Sequence, residues 1–160
     1  MTFRRGLLIG RFQPLHFGHI HLFHEALKKI ETLTVGVGSS QDYQVHIDEN
    51  PFPFSLRKQM LESMIEHEHL AARIDKILPL TDDPDDDTWR VAVLKQTGPI
   101  DVVVSNNDWV NGIFTRVGIP SLSVPLYRRD LYEGKKIREI LKDSQQYHDY
   151  LPEYVWQLIK

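Results

Sequence analysis

Short apolar runs alternate with stretches of helical periodicity along nearly the whole chain. Leu7–Ile9, Leu33–Val37, Ile74–Leu80, Val102–Val104 and Leu122–Val124 are brief, rich in Val, Ile and Leu, and separated by helix-length segments. Runs of that kind read as strands buried on both faces. Between them the pattern predicts helices over 18–30, 55–67, 88–97 and 108–117, with further helices near 135–143 and 153–159. In the first of these, Ile20, Phe23, Leu27 and Ile30 recur at steps of three and four while Lys28, Lys29 and Glu31 fall elsewhere, which makes an amphipathic stripe. Such βαβ alternation implies an α/β fold built on a doubly wound parallel sheet. Ligands of these sheets bind beyond the carboxyl ends of the strands, where connections diverge to opposite faces. The Arg11–His16 turn, the loops over 39–50 and 82–87, and Asn106–Asn107 all follow predicted strands, so all can converge there.

The richest local pattern is Gly10-Arg11-Phe12-Gln13-Pro14-Leu15-His16-Phe17-Gly18-His19, which follows the first strand and opens the first helix. Free N–H groups and the positive end of the helix dipole make that position a natural phosphate site, and Gly18 lacks the Cβ that would hold a ligand away. Imidazole N–H groups at His16 and His19 add donors for the same anion. His16, His19, His21 and His24 also form two pairs at a spacing of three, a pattern that can bind zinc from one helical face. No carboxylate or cysteine partner stands at a recognised spacing, so the expected metal ligand set is none, and His21 and His24 read as ordinary surface or core residues. The chain contains no G-x-x-x-x-G-K-[ST], G-x-S-x-G or H-E-x-x-H, so those cradles and nucleophile motifs are absent.

Three other segments admit two readings each. The stretch from Thr81 to Trp89 is strongly acidic; as structure, it is a solvated loop in which Asp87 caps the following helix. Trp89 is either a core residue in a first helical turn or a flat surface for a cationic aromatic ligand. Asn106 and Asn107 suit a turn and a helix cap.

Taken together, these residues resemble a known family, the nucleotidyltransferases with an H-x-G-H signature, and most closely the archaeal type of nicotinamide-nucleotide adenylyltransferase. Gly10 to His19, Gly38-Ser39-Ser40-Gln41, Glu49-Asn50-Pro51-Phe52, Trp89 behind its acidic stretch, Val104-Ser105-Asn106-Asn107, and Gly134 with Arg138 occur in the family's order at compatible spacing. The resemblance implies a Rossmann-like fold and transfer of AMP from ATP to nicotinamide mononucleotide with Mg²⁺, giving NAD⁺ and pyrophosphate. It implies that His16, His19, Arg11 and Arg138 do the catalytic work on the phosphates. The ATP site would further draw on Gly10, Phe12, Gln13, Gly18, Asn106, Asn107, Arg129 and Lys135. The nicotinamide nucleotide would fall to Ser39, Gln41, Asp82, Asp86 and Trp89, the Trp stacking on the pyridinium ring. A homo-oligomer is also implied.

The chain departs from the family at several of these positions. Glu133-Gly134-Lys135-Lys136-Ile137-Arg138 stands where relatives have Ser-Gly-Thr-x-(Ile/Val)-Arg, Asp86 replaces an Asn, and Asn106 replaces a Gly. Glu133 brings negative charge toward a polyanion, whereas Lys135 and Lys136 bring compensating positive charge. A related transferase acting on a flavin or pantetheine phosphate, and a weakly catalytic nucleotide-binding homologue, are therefore the alternatives.

Composition sets outer limits. The 160 residues fit one domain over 1–160 with a real core. A formal net charge of −3 argues against a nucleic acid polymer as partner while leaving room for a local basic pocket. The absence of cysteine removes disulfides, thiolate metal sites and cysteine nucleophiles. With no signal-type segment and no apolar run near the length of a membrane span, a cytoplasmic protein without membrane association is expected.

Overall fold

The computed structural model describes residues 2–41, 48–125, 127–143 and 146–160. Its order is β1 (Phe3–Gly10), α1 (Phe17–Leu27), β2 (Ile30–Val37), α2 (Phe54–His67), β3 (Ile74–Pro79), α3 (Asp86–Thr97), β4 (Val102–Val104), α4 (Asp108–Thr115), α5 (Gly134–Asp143) and α6 (Glu153–Ile159). The four strands form one parallel sheet in the order β3-β2-β1-β4. The chain thus builds outward from β1 through β2 to β3, then crosses back to place β4 on the other side of β1. That reversal opens a crevice beyond the carboxyl ends of β1 and β4.

The strands read as unbroken apolar runs because both faces of the sheet are covered. Leu8 of β1 packs with Val35, Val104, Phe23, Met60 and Val155 in one core. Its neighbours Leu7 and Ile9 point the other way, into a second core with Leu80, Val93, Val103, Ile113 and Phe114. Successive side chains of a strand alternate between faces, so helices on either side claim alternate residues. Among the described residues no helix is long and apolar enough to cross a membrane.

Several boundaries differ from the sequence reading. The helix expected over 18–30 stops at Leu27, because Ile30 is fully buried as the first residue of β2 and pairs with Phe3. Its place on the helical stripe is a coincidence of spacing. Leu122–Val124 is not a strand of the sheet: an isolated bridge joins Val103 and Ser121, with the Val103 N–H donating to the Pro120 carbonyl at 3.0 Å and the Leu122 N–H to the Val103 carbonyl at 2.9 Å. Pro120 and Pro125 flank the segment and have no N–H to extend a ladder. Leu122 and Val124 nevertheless pack on the first core. The α3 cap is Asp85, whose carboxylate accepts from the Thr88 N–H at 2.8 Å and its hydroxyl at 2.6 Å. Asp87, expected to cap, lies inside the helix and pairs with Arg90 at 2.7 Å.

Candidate active site

Beyond β1 and β4 lies an open cleft of about 620 Å³, bordered by the β1–α1 turn, the loops after β2, β3 and β4, and the start of α5. The turn after β1 forms one border of it. A Cβ on Gly10 would come within 2.9 Å of the Phe12 ring, so glycine lets that ring fold back under the strand end. Phe12 takes a left-handed backbone with φ 54° and is buried. Its ring lies 4.8 Å from that of His19, forming an apolar backing for the imidazole.

His16 caps α1 and makes a reciprocal pair with His19. The Gly18 N–H donates to His16 Nδ1 at 3.1 Å, and the His16 N–H donates to His19 Nδ1, also at 3.1 Å. This is a capping box built from two imidazoles in place of the usual hydroxyl and carboxylate. An Nδ1 that accepts must be unprotonated, so each neutral ring carries its proton on Nε2. The rings stack with centroids 3.7 Å apart. Burial and the neighbouring Arg129 lower the His16 pKa to about 3; loss of solvent and the proximity of His16 hold His19 well below its ordinary value. Both are therefore neutral N–H donors at neutral pH.

Gly18 has a different role from the one expected. A Cβ there would meet the His16 ring and Tyr132 Cβ, each at 2.9 Å, so the glycine makes room for that ring and its neighbour. It borders a small recess behind His16 with His21 and Tyr127. Tyr132 itself lines the cleft, lies 6.2 Å from His16, and meets the edge of Phe17. It was not singled out from sequence; an aromatic residue just before the polar start of α5 was its only signal.

The cations converge from separate elements. Arg11 is exposed, lines the cleft, and donates to the Glu49 carbonyl at 2.5 Å. Arg138 donates to the Gln13 carbonyl at 2.8 Å, and burial beside Arg11 lowers its pKa. Arg129, Lys135 and Glu133 complete the wall. The Glu133 carboxylate sits 3.8 Å from Arg129 and 3.4 Å from Lys136, so its charge is already balanced on two sides. Gln13 braces the wall. It is buried, pairs its amide with Asn50, and exchanges two 3.0 Å bonds with the Phe52 backbone.

On the opposite side, Ser39 adopts φ 52° and donates its hydroxyl to both Asp82 oxygens at 3.1 and 3.0 Å. Gln41 lies buried behind them, donating to Asp82 at 2.8 Å and accepting from its N–H at 3.1 Å. Gln41 therefore orients Asp82 and is not itself among the cleft-lining residues. Trp89 is half-buried, packs edge-on to Phe114 at 5.8 Å and also lines the cleft. Asp86 does not join this group. From α3 it faces Arg116 at 3.6 Å and borders a separate groove against α4, because one helical residue position rotates a side chain by roughly 100°.

Asn106 lines the cleft and is exposed. Asn107 caps α4, its Oδ1 accepting from the Trp109 and Val110 N–H groups at 3.0 and 3.3 Å. His21 stacks on Tyr127 at 4.4 Å, and His24 contacts Glu68 at 3.0 Å. Arg57 of α2 is, like Tyr132, a residue that the sequence did not single out. It is 1% exposed and directs its guanidinium at the carbonyls of Arg11, Gly38 and Ser39.

A parallel sheet whose first turn offers neutral imidazole donors and arginines to a crevice at the strand reversal defines a Rossmann-like nucleotide-binding protein. The chain belongs to the cytidylyltransferase-like family, whose sequence profile matches residues 7–149. Among its relatives, the nicotinamide-nucleotide adenylyltransferase of Archaeoglobus fulgidus is 33% identical over 159 residues, covering 98% of this chain and 90% of that one. The protein of the same name from Methanosarcina mazei is 33% identical over 156 residues, covering 98% and 87%. A solved structure from Francisella tularensis, a bifunctional NMN adenylyltransferase/ADP ribose pyrophosphatase complexed with AMP and a Mn ion, shares the fold with a TM-score of 0.73 at 22% identity. It is matched over 98% of this chain and 52% of that one, so the chain spans about half of that protein's length.

Proposed function

We propose that the protein is an adenylyltransferase that joins ATP and nicotinamide mononucleotide to give NAD⁺ and pyrophosphate. The observation that carries this reading is the reciprocal His16–His19 cap, which leaves Nε2–H as the free donor of both rings at a cleft also lined by Arg11 and Arg138. The names of the relatives point to the same reaction.

In the reaction, a phosphate oxygen of the mononucleotide attacks the α-phosphorus of ATP, and the bond to the leaving pyrophosphate breaks. Such transfer needs positioning and charge stabilisation more than covalent help. His16 and His19 donate to phosphate oxygens as neutral groups, fixed before substrate arrives. Arg11, Arg138 and Lys135 supply the positive charge. Ser39, Asp82 and Trp89 hold the acceptor on the other wall, the Trp face meeting the cationic pyridinium ring.

The donor is ATP as its Mg²⁺ complex. Among the described residues, no group of three or more His, Cys, Asp or Glu side chains is placed to hold a metal. In this reading the ion enters with the triphosphate, whose oxygens suit a hard cation. Incubating the pure protein with ATP, Mg²⁺ and a panel of nicotinamide, nicotinate, flavin and pantetheine phosphates tests the reading. Adenylylated nicotinamide mononucleotide is the expected product, and a panel without any adenylylated product would sink it.

Two predictions concern the walls. Trp89→Ala is expected to weaken nicotinamide mononucleotide by about 0.5–2 kcal/mol, the worth of a cation–π contact, with ATP affinity nearly unchanged. Calorimetric titration of each ligand decides it: equal losses for both would leave Trp89 as a core residue alone. At the start of α5, Lys135 has no ion-pair partner among the described residues, whereas Glu133 is balanced by Arg129 and Lys136. Cations at a helix start oppose the dipole, so anion binding explains Lys135 better than helix stability does. The double change Glu133→Ser with Lys135→Thr should accordingly weaken ATP by about two- to fivefold, the scale of one exposed charge contact. Unchanged affinity in the double mutant and both single mutants would remove this segment from triphosphate binding.

A further inference from the structure

Below the cleft, Arg57 is a buried cation that takes part in no ion pair among the described residues. Burying a charge without a counter-charge is expensive unless its hydrogen-bonding capacity is met. Here the two ends of the guanidinium fork meet it with backbone. Nη1 donates to the Arg11 carbonyl at 2.9 Å and the Gly38 carbonyl at 2.7 Å; Nη2 donates to the Ser39 carbonyl at 3.0 Å and the Ser40 hydroxyl at 3.4 Å. Nε is buried without a partner, so the fork alone orients the group. Burial and the nearby Arg11 lower its pKa to about 10 against the pull of the Asp82 carboxylate, and the group stays charged at neutral pH.

The identity of those carbonyls matters more than their number. Arg11 belongs to the turn that carries His16, whereas Gly38 and Ser39 belong to the loop that holds Asp82. One side chain from a third element therefore ties together the two walls of the cleft. Ser39 sits at φ 52°, a left-handed conformation that costs a non-glycine residue energy and persists only when its surroundings enforce it. Its carbonyl is gripped twice, by Arg57 and by the Asn50 amide at 3.0 Å. Asn50 in turn pairs with Gln13, whose carbonyl accepts from Arg138.

We propose that Arg57 is a positioning residue for the transfer step, fixing the separation of the anion-binding turn from the acceptor loop so that the two bound substrates meet in line. The inference rests on the adenylyl-transfer reading above. A group that serves only to hold the core together would, when replaced, lower stability and leave the folded molecules fully active. A group that sets the register of two walls lowers turnover in folded molecules, because small misplacements of reacting groups are felt steeply.

Arg57→Lys and Arg57→Met separate charge from fork, since lysine keeps the cation but presents one nitrogen in place of a planar pair. Steady-state kinetics with ATP and nicotinamide mononucleotide, normalised to folded protein by calorimetry, should show kcat down by about tenfold or more in both variants, with KM for each substrate within about threefold. Wild-type kcat in folded Arg57→Lys, or a loss confined to KM, would overturn the proposal. Should both variants fail to fold, Asn50→Asp keeps Arg57 but removes the second donor to the Ser39 carbonyl, and a kcat-selective loss is again expected; unchanged kcat there overturns it. An inactive wild-type protein would instead refute the adenylyl-transfer reading and this inference with it.

Discussion

His19→Ala is expected to lower kcat by about 100-fold or more, the range seen when a preorganised donor to a transition-state oxyanion is removed, while the protein remains folded. Neutral His19 contributes a fixed N–H and no charge to the empty protein. Its value therefore lies in the transition state, where negative charge gathers on the transferring phosphoryl group. Its structural share is smaller: it accepts the His16 N–H at the start of α1, and losing a cap of that kind costs about 1 kcal/mol. Measuring kcat by NAD⁺ formation alongside calorimetric unfolding separates the two effects. Activity within about threefold of the parent would remove His19 from the mechanism.

Stability should fall markedly between pH 7 and pH 5. The His16 pKa is lowered from 6.5 to about 3, and that of His19 moves in the same direction. The unfolded chain thus binds protons that the folded one refuses, and unfolding becomes easier as pH drops below 6.5. Stability from these rings is complete above that value and is lost as pH falls below it, for His16 through the window between 6.5 and about 3. Each pH unit in the His16 window is worth about 1.4 kcal/mol, so His16 alone removes about 2 kcal/mol at pH 5, and His19 adds to the loss in the same direction. The lowered carboxyls, Asp85 and Glu153 among them, start from ordinary values of 3.8 and 4.5 and contribute at lower pH. Urea unfolding at pH 5, 6 and 7, with His16→Gln as the flatter comparison, checks this. Equal unfolding free energies at pH 5 and pH 7 would contradict the burial of neutral imidazoles.

How far the site was legible depended on the range of the interactions involved. The Gly10 to His19 turn was readable because its parts lie within ten residues and act through local backbone: a strand end, a helix start and capping side chains. Trp89, Asp82 and Arg138 were reached through resemblance, and the cleft does bring them together. Asp86 was misplaced because spacing along the chain does not say which way a helix is turned; contact with Arg116 of the next helical unit shows that. The room that Gly18 leaves for Tyr132, a neighbour 114 positions away in sequence, could not be read from the chain. Arg57 was invisible for a related reason. Its partners are backbone carbonyls of two distant loops, and a carbonyl has no residue type to recognise.

The parallel α/β architecture and the histidine-bearing turn at the start of α1 were readable from the chain alone. Alternation of short apolar runs with helical stripes, and a helix start rich in donors, are consequences of nearest-neighbour geometry and dipoles. Only the tertiary structure decided where β2 begins, that the segment after Ser121 stays outside the sheet, and which tautomer each histidine holds. It also decided that Arg57 lies beneath both walls. These outcomes are set by competition for burial and hydrogen-bond partners among residues far apart in the chain. That competition resolves only when the sheet has closed, the helices have covered it, and the buried donors have divided the available acceptors among them.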